Sequence, residues 1–397
     1  MIKRSKDNGH ISITVYADGG VEALPKSLIA ANEIAFPVMI ADGLGKMNRT
    51  DLIEYLQKHR IELQPEINDS HHGFWINVRN PNFEKAFHLL HLSFFRAKPH
   101  VGQFEIMQEQ WLKNIINFEK TEYGQHQKKL IDQTYLAGSE HISTNSQLVK
   151  QLEVVDISST YRYLFGDLSK FKFVIVGDFD EDKIRGYLEK YIANIPTKTI
   201  EFTEQFVKIS DKEVVVKSYN NPEDKAYISV YYANETTPND EDTKIALELF
   251  AEIVEDRIFD ELREKKSLIY AVETVAYNLF SRIQPAVFKI NLSSAPKNET
   301  VILDAIHQII NDIKQNGIGK KDFDIAKNLY FTKASKKYEN NDTYANYYAY
   351  YLAKGFSIVE IEKFEDKIQD FSHENVNKII NKFLDDAMLR TSVFSKK

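Results

Sequence analysis

Apolar and polar residues alternate along this chain in short segments that predict strands, and longer stretches with helical spacing separate them. In the first half the predicted strands are 11–17, 61–67, 73–78 and 171–176, and the helical stretches are 25–40, a stretch ending at 60, 83–94, 103–165 and a stretch ending at 193. Thr50 is the expected cap of the second stretch, and Asp178 and Glu181 have capping-box spacing for the last. In the second half the predicted strands are 214–216, 226–232, 270–277, 286–292 and 389–394, and the helical stretches are 240–265 and 298–382. The two halves therefore share an order of elements.

The segment between the halves, residues 194–212, contains Pro196 and a mixture of Lys, Thr and Glu with weak periodicity. Such a segment is typical of a linker. We therefore predict two domains, residues 1–203 and 204–397. Because sequence identity between the halves is not apparent, the predicted duplication depends on element order alone.

Composition narrows the class of protein. The chain has 397 residues, of which 43% are hydrophobic, so it can bury a core in each of two domains. Lys and Arg number 51 against 58 Asp and Glu, and the two signs are interleaved, which argues against nucleic acid as a partner. The absence of cysteine excludes disulfides, thiolate zinc sites and a cysteine nucleophile, and it leaves the compartment open. No apolar run approaches the ~20 residues of a membrane span.

The first residues of the chain have the pattern of a hairpin whose first strand is incomplete. Residues Met1 to Arg4 have the composition of the end of a strand, and Asn8-Gly9 is a hairpin-turn dipeptide before the strand at 11–17. No apolar stretch typical of a signal peptide is present in this segment. We hypothesise that residues upstream were removed.

The segment from Glu261 to Tyr270, with the sequence ELREKKSLIY, lies at the end of a predicted helix and continues into a strand. It resembles the arginine-and-tyrosine motif of the pitrilysin/insulinase family of zinc metallopeptidases. The resemblance extends over most of the chain, through Gly19-Gly20, Gly43-Leu44-Gly45, Val176 to Asp180 and Asn340 to Tyr351. Together these segments resemble the carboxy-terminal half of the long bacterial members, or the partner subunit of the heterodimeric ones.

This resemblance implies a fold and a role for two residues. In the family, two halves close around an unfolded peptide, and each half is a pair of similar α+β domains. With the element order, this predicts an α+β fold of two similar tandem domains, each a mostly antiparallel sheet with helices packed on one face. By resemblance, Arg263 and Tyr270 would donate hydrogen bonds to the substrate near its scissile carbonyl. The alternative is that Arg263 pairs with Glu261 or Glu264 and that Tyr270 packs as a strand aromatic.

The metal centre of the family is absent at the matching position. Its helical H-x-x-E-H sequence supplies two histidine ligands and a glutamate that acts on the bound water. Here the corresponding residues, Ile29 to Phe36, contain no histidine, and a lone Glu33 has no catalytic role. In the near match at His59, Leu63 stands in place of the second histidine, and Glu62 is predicted to lie in a strand instead of on the helix of His59.

Two other histidine groups are weaker candidates for metal binding. Glu84, His88 and His91 share one flank of a helix, but such flanks are usually solvated. His71 and His72 are adjacent in a strand, so their side chains point to opposite faces. We therefore expect no metal site and no cofactor in this chain, with zinc in the partner half.

The predicted function is that of a non-catalytic half or subunit of a zinc-dependent endopeptidase that encloses unfolded peptides. Its expected partner carries H-x-x-E-H, and without that partner the chain should be inactive. The alternative is a catalytically dead peptide-binding or scaffold protein of the same fold. Many long bacterial relatives act in the cell envelope, so the periplasm or envelope is favoured over the cytoplasm. A tyrosine cluster at 344–351 fits either core packing, which we favour, or contact with peptide.

Overall fold

A computed structural model describes residues 2–3, 9–40, 43–136, 144–202, 207–281, 284–336 and 339–397. The strands are β1 (Ile2–Lys3), β2 (His10–Asp18), β3 (Ile61–Ile67), β4 (His71–Arg79), β5 (Lys172–Gly177), β6 (Val214–Ser218), β7 (Ala226–Asn234), β8 (Ile269–Tyr277), β9 (Ala286–Ser294) and β10 (Met388–Phe394). The helices are α1 (Ile29–Ile40), α2 (Arg49–His59), α3 (Phe83–Arg96), α4 (Val101–Lys120), α5 (Glu122–Thr134), α6 (Ser146–Gln151), α7 (Val154–Phe165), α8 (Glu181–Tyr191), α9 (Glu241–Ile258), α10 (Glu299–Asn316), α11 (Lys320–Ser335), α12 (Asn341–Ala353), α13 (Ile358–Asp370) and α14 (His373–Asp386). The predicted α+β fold is confirmed.

The described strands form two sheets with the same topology. The first has the order β1-β5-β2-β4-β3 and the second has the order β6-β10-β7-β9-β8. In each sheet the first pair is parallel and the other three pairs are antiparallel. The shared topology supports the duplication that element order predicts, because two unrelated domains are not expected to have the same strand order and the same strand directions.

The chain divides into two compact units, and each is discontinuous in sequence. One unit is Met1–Ile116, Thr144–Gln205 and Lys336–Lys363, and the other is Asn117–Ser143, Phe206–Ser335 and Phe364–Lys397. The predicted domains, 1–203 and 204–397, were continuous. The difference arises because α5 packs on the second sheet and α12 packs on the first, and sequence order does not reveal which sheet an amphipathic helix covers.

In the first unit both faces of the sheet are covered. Alternate residues of β2, such as Ile13 and Val15, are fully buried in the apolar core on one face. On the other face the helix α12 docks through polar contacts: Asn77 Nδ2 donates to Asp342 Oδ2 at 2.9 Å, and the Ser12 hydroxyl donates to the same carboxylate. The prediction placed helices on one face only, so α12 is an addition to it.

In the second unit, helix α5 covers part of the sheet through His126. This side chain is buried, and its ring nitrogens lie 2.9 Å from Ser218 Oγ and 2.8 Å from Ser392 Oγ. Burial lowers the pKa of His126, and the nearby Lys129 lowers it further. No helix among the described residues has the length and apolar composition that a membrane span requires.

Several local expectations are corrected by the structure. Helix α2 begins after Asn48, whose side chain accepts from Asp51 N at 2.9 Å, so Thr50 is not its cap. Helix α8 is capped by Asp180, which accepts from the amides of Asp182 and Lys183. At the start of the chain, β1 pairs in parallel with β5, whereas residues 4–8, including the predicted turn at Asn8, lie outside the described residues.

Candidate functional site

The predicted site residue Arg263 lies five residues beyond the carboxyl end of α9, and this helix is firmly held in the second unit. The helix begins at Asp240, whose side chain accepts from Thr243 N at 2.8 Å. Near its other end, Arg257 Nη1 donates to Asp312 Oδ2 at 2.9 Å and Arg257 Nη2 donates to Asp322 Oδ2 at 2.8 Å. These bonds tie α9 to the neighbouring helices α10 and α11.

Beyond α9 the backbone changes its winding and then turns into β8. Residues Phe259–Glu264 form a π-helical turn, a feature frequent at functional sites. Ser267 adopts a positive φ of 54°, and Leu268 N donates to Leu262 O at 2.7 Å, which closes the turn. Leu262 and Ile269 are both buried, so they anchor the turn on either side of the exposed residues.

Arg263 and Tyr270 are brought together by this turn. The guanidinium carbon of Arg263 lies 5.7 Å from the centre of the Tyr270 ring, and Arg263 Nη1 donates to Ile269 O at 3.2 Å. Tyr270 is 82% exposed. A guanidinium has five N–H donors, so further donors remain for an external acceptor beside the phenol.

An irregularity in the strand pairing helps to expose Tyr270. Ile269 is opposite Ser294 and Val272 is opposite Leu292, so three residue steps on β8 correspond to two steps on β9. A bulge of this kind redirects a side chain and is common next to functional sites. The ring therefore projects away from the sheet instead of packing on it.

The alternative for these residues was a surface ion pair and a packed aromatic. In the structure the Glu261 carboxylate pairs with Lys266 Nζ at 2.8 Å and with Lys265 Nζ at 3.1 Å, and these lysines hold the pKa of Glu261 below its usual range. The exposure of Tyr270 also argues against a packing role. The geometry is thus suited to contact with a ligand.

A further contact in this region was not predicted from the sequence. On β8, Thr274 N donates to Glu255 Oε2 of α9 at 2.9 Å, and the Thr274 hydroxyl donates to the same oxygen at 2.9 Å. No pattern in the sequence indicates this contact, because it depends on how α9 packs against β8. It places a carboxylate against the backbone of an edge strand.

The position that matches the family metal centre contains no ligand set. In α1, Glu33 is exposed, and its neighbours Ile34 and Phe36 are buried in the core. At the near match, His59 is the last residue of α2 and Glu62 lies in β3, as predicted. The two side chains therefore belong to different elements.

The other histidine groups are engaged in structural contacts. Glu84 Oε1 accepts from Lys190 Nζ at 2.7 Å and from Tyr191 OH at 2.9 Å, and His91 Nδ1 lies 2.7 Å from Tyr191 O, so this flank of α3 packs against α8.

His71 and His72 point to opposite faces of β4, where they contact Tyr350 and Phe165 respectively. Within the described ranges, no three His, Asp or Glu side chains are grouped for a metal ion.

Comparisons with known proteins find similar sequences and similar folds. Residues 155–330 match the protein-family model of the peptidase M16 inactive domain. The probable zinc protease PqqL of Haemophilus influenzae is 21% identical over 323 residues, which cover 79% of this chain and 33% of that protein. The crystal structure of the periplasmic protease PqqL from Escherichia coli superposes with a TM-score of 0.87 at 16% identity and covers 100% of this chain and 44% of that chain.

A third similar protein is comparable to this chain in length. The peptidase M16 inactive domain from Pseudomonas fluorescens superposes with a TM-score of 0.84 at 12% identity, covering 100% of this chain and 95% of that chain. By contrast, the match spans about a third of the length of the curated relative from H. influenzae. The predicted resemblance to the inactive half of pitrilysin-family zinc peptidases is confirmed.

Proposed function

We propose that this chain is the non-catalytic half, or a separate subunit, of a zinc-dependent endopeptidase, and that it binds an unfolded peptide for a partner that carries H-x-x-E-H. The single observation that supports this best is the exposed pairing of Arg263 with Tyr270, held 5.7 Å apart at the start of β8. The similarity to an inactive peptidase domain supports the division of roles.

Among the residues that the structure describes, no group of side chains fits zinc, and the proposal therefore assigns the metal to the partner. When bound there, zinc supplies an activated water for attack on the peptide carbonyl. Arg263 and Tyr270 act on the substrate: the guanidinium and the phenol O–H donate hydrogen bonds to main-chain oxygens next to the scissile bond. The guanidinium donors are oriented before the substrate arrives, because Arg263 Nη1 already donates to Ile269 O.

Removing these donors tests the proposal. The chain is mixed with its H-x-x-E-H partner, and hydrolysis of a quenched-fluorescent peptide is followed. Arg263→Ala and Tyr270→Phe are each expected to lower kcat by on the order of 100-fold, the usual effect of losing one preorganised donor. Because Tyr270 is 82% exposed, its substitution should leave the thermal unfolding of the chain almost unchanged.

Two exposed residues outside the site provide matched controls. Arg185→Ala removes an exposed arginine of α8, and Tyr123→Phe removes the hydroxyl of an exposed tyrosine of α5. Both should leave kcat within about twofold of the parent value. Full activity in both Arg263→Ala and Tyr270→Phe would refute the assigned role.

The alternative function is a peptide-binding scaffold that has lost catalysis. The exposed Arg263–Tyr270 pair favours the first proposal, because a scaffold needs no donors of this kind at one point on a strand. The scaffold predicts peptide binding without hydrolysis in the presence of every candidate partner. We also propose that the chain acts in the periplasm or cell envelope, by analogy with the periplasmic PqqL, and fractionation of the native cells tests this.

A further inference from the structure

Strand β8 is an edge strand whose own sequence lacks the residues that usually protect a sheet edge, although helix α9 packs against it. It is the last strand of its sheet, with β9 as its only strand neighbour among the described residues. Its nine residues include no Pro, Lys or Arg, the residues that commonly prevent an edge from pairing with another chain. The equivalent strand of the first sheet, β3, contains Pro65. The two edges, alike in topology, are therefore protected differently.

The outward direction of the β8 amides follows from one hydrogen bond. Thr274 N donates to Glu255 Oε2 at 2.9 Å, and since an amide has a single hydrogen, this amide does not pair with β9. Backbone groups of an antiparallel strand alternate in direction. Val272 and Ala276 consequently direct their N–H and C=O groups to the same outer edge. These groups form a row that can pair with another extended backbone.

Glu255 protects the middle of this row. Its side chain is half-buried on α9, and its Oε2 also accepts from the Thr274 hydroxyl at 2.9 Å. The same hydroxyl lies 2.8 Å from Ala251 O, and because it has one hydrogen, Ala251 O and Glu255 Oε2 share it as acceptors. A carboxylate is a strong acceptor for a backbone amide. A strand that pairs with β8 must therefore displace Glu255 from Thr274 N.

The exposed side chains of β8 indicate which strand would fit. Val275 is 37% exposed and Tyr277 is 38% exposed, and Glu273 is exposed beside them. An added strand would place alternate side chains against these residues, which favours apolar side chains and a basic one opposite Glu273. A second copy of this chain would bring its own Glu255 and Glu273 to the same edge, so charge repulsion disfavours self-pairing.

From these contacts we propose that the outer edge of β8 binds an extended peptide by backbone pairing, and that Glu255 is the competing acceptor that the peptide displaces. The inference rests on the proposed function for the choice of an unfolded peptide as ligand. Tyr270 is the second residue of the same strand, four residues before Thr274, a distance of about 13 Å along an extended chain. A peptide paired with β8 would thus extend to Arg263 and Tyr270.

Binding to the isolated chain tests this edge. The probe is a fluorescein-labelled 12-residue peptide of alternating Val and Lys, and the readout is fluorescence anisotropy. Glu255→Ala removes the competitor and should tighten Kd by on the order of fivefold. Thr274→Pro removes the outer amide and should weaken binding at least about tenfold, while sparing the bonds to β9. Thr274→Val keeps the amide and should bind at least as tightly as the parent.

Two further measurements keep the test decisive. The same peptide with every backbone amide N-methylated has no N–H donor on either edge and should not bind. If Thr274→Pro unfolds, as judged by thermal unfolding, Ala276→Pro blocks the next outward amide and replaces it. Failure of the parent chain to bind the probe, or equal binding by the parent and the proline variant, would overturn the proposal.

The outcome is separable from that of the proposed function. Edge binding is measured without the zinc-bearing partner, whereas the role of Arg263 and Tyr270 is measured by turnover with it. If Arg263→Ala lowers kcat but the parent chain does not bind the peptide probe, only the proposal that β8 binds peptide is refuted. If the parent chain binds the peptide probe but kcat is unchanged in Arg263→Ala and Tyr270→Phe, the proposed role of these two residues is refuted and the peptide binding by β8 is not.

Discussion

His72 gives the sharpest stability prediction for the first unit, because its protonation state is fixed by its partners. The ring is fully buried, Nδ1 lies 3.2 Å from Gly20 N, and Nε2 lies 2.7 Å from Leu164 O. A backbone amide only donates and a carbonyl only accepts. The neutral tautomer with hydrogen on Nε2 therefore satisfies both contacts, and a proton added to Nδ1 would face the Gly20 N–H.

The expected magnitude follows from the pKa of His72. Burial lowers this pKa from its ordinary value of 6.5 to about 4, although the bond to Leu164 O opposes the shift. Above pH 6.5 the neutral ring contributes its full stability. As the pH falls from 6.5 towards 4, the unfolded chain binds a proton that the folded chain does not, so stability is lost. At ~1.4 kcal/mol per pKa unit, the total loss is about 3 kcal/mol.

The assay compares the parent chain with His72→Gln, which does not titrate, in urea unfolding between pH 7.5 and 4. Both tryptophans, Trp75 and Trp111, lie in the first unit, so their fluorescence reports on its unfolding. The stability advantage of the parent over the variant should shrink by about 3 kcal/mol across this range. Subtracting the variant cancels the contributions of the other histidines.

Nitrogen NMR of labelled histidine provides an independent check. At pH 7 the His72 resonances should show the tautomer protonated at Nε2, and they should not titrate above pH 5. A constant difference in stability between the parent and His72→Gln, together with titration of His72 near pH 6.5, would refute this account.

Two substitutions in the first unit extend these expectations. Asp342→Ala removes the acceptor that holds Asn77 and Ser12, which are both buried, and should cost about 2–3 kcal/mol of unfolding free energy. Hydrogen exchange across Asn341–Ala353 should rise more than elsewhere. Unchanged exchange in this helix would contradict its docking through Asp342. Gly20→Ala places a Cβ 2.0 Å from Asn68 O at a residue with a φ of 52°. The urea midpoint should therefore fall by at least the equivalent of about 2 kcal/mol of unfolding free energy. A midpoint equal to that of the parent would show that the turn adjusts to the added methyl group without cost.

The fold was largely predictable because its elements have local signatures. Strand β4 was recognised from the alternation of Phe74, Ile76 and Val78, all of which are fully buried. The exchange of α5 and α12 between the two units was not predictable, since an amphipathic helix indicates that it has a buried face but not which sheet it will cover. The cap at Asn48 was missed by two residues because Thr50 is also a favourable cap.

The candidate site was predictable only as a pair of residue types at a fixed spacing. The seven-residue separation of Arg263 and Tyr270 resembles a family motif, but their contact depends on the π-helical turn, the positive φ of Ser267 and the bulge in β8. Each of these alters which way a side chain points, so regular helix or strand geometry gives the wrong direction. The contact of Glu255 with the edge of β8 depends on tertiary packing alone.

Peptide hydrolysis by the isolated chain is the most direct test of the division of labour between this chain and a zinc-bearing partner. The chain, freed of contaminating peptidases, is assayed on an unfolded peptide with and without a chelator, and its zinc content is measured by elemental analysis. We expect no chelator-sensitive hydrolysis and no stoichiometric zinc, with activity appearing when the H-x-x-E-H partner is added. Chelator-sensitive hydrolysis by the isolated chain, with one tightly held zinc ion per molecule, would contradict the account.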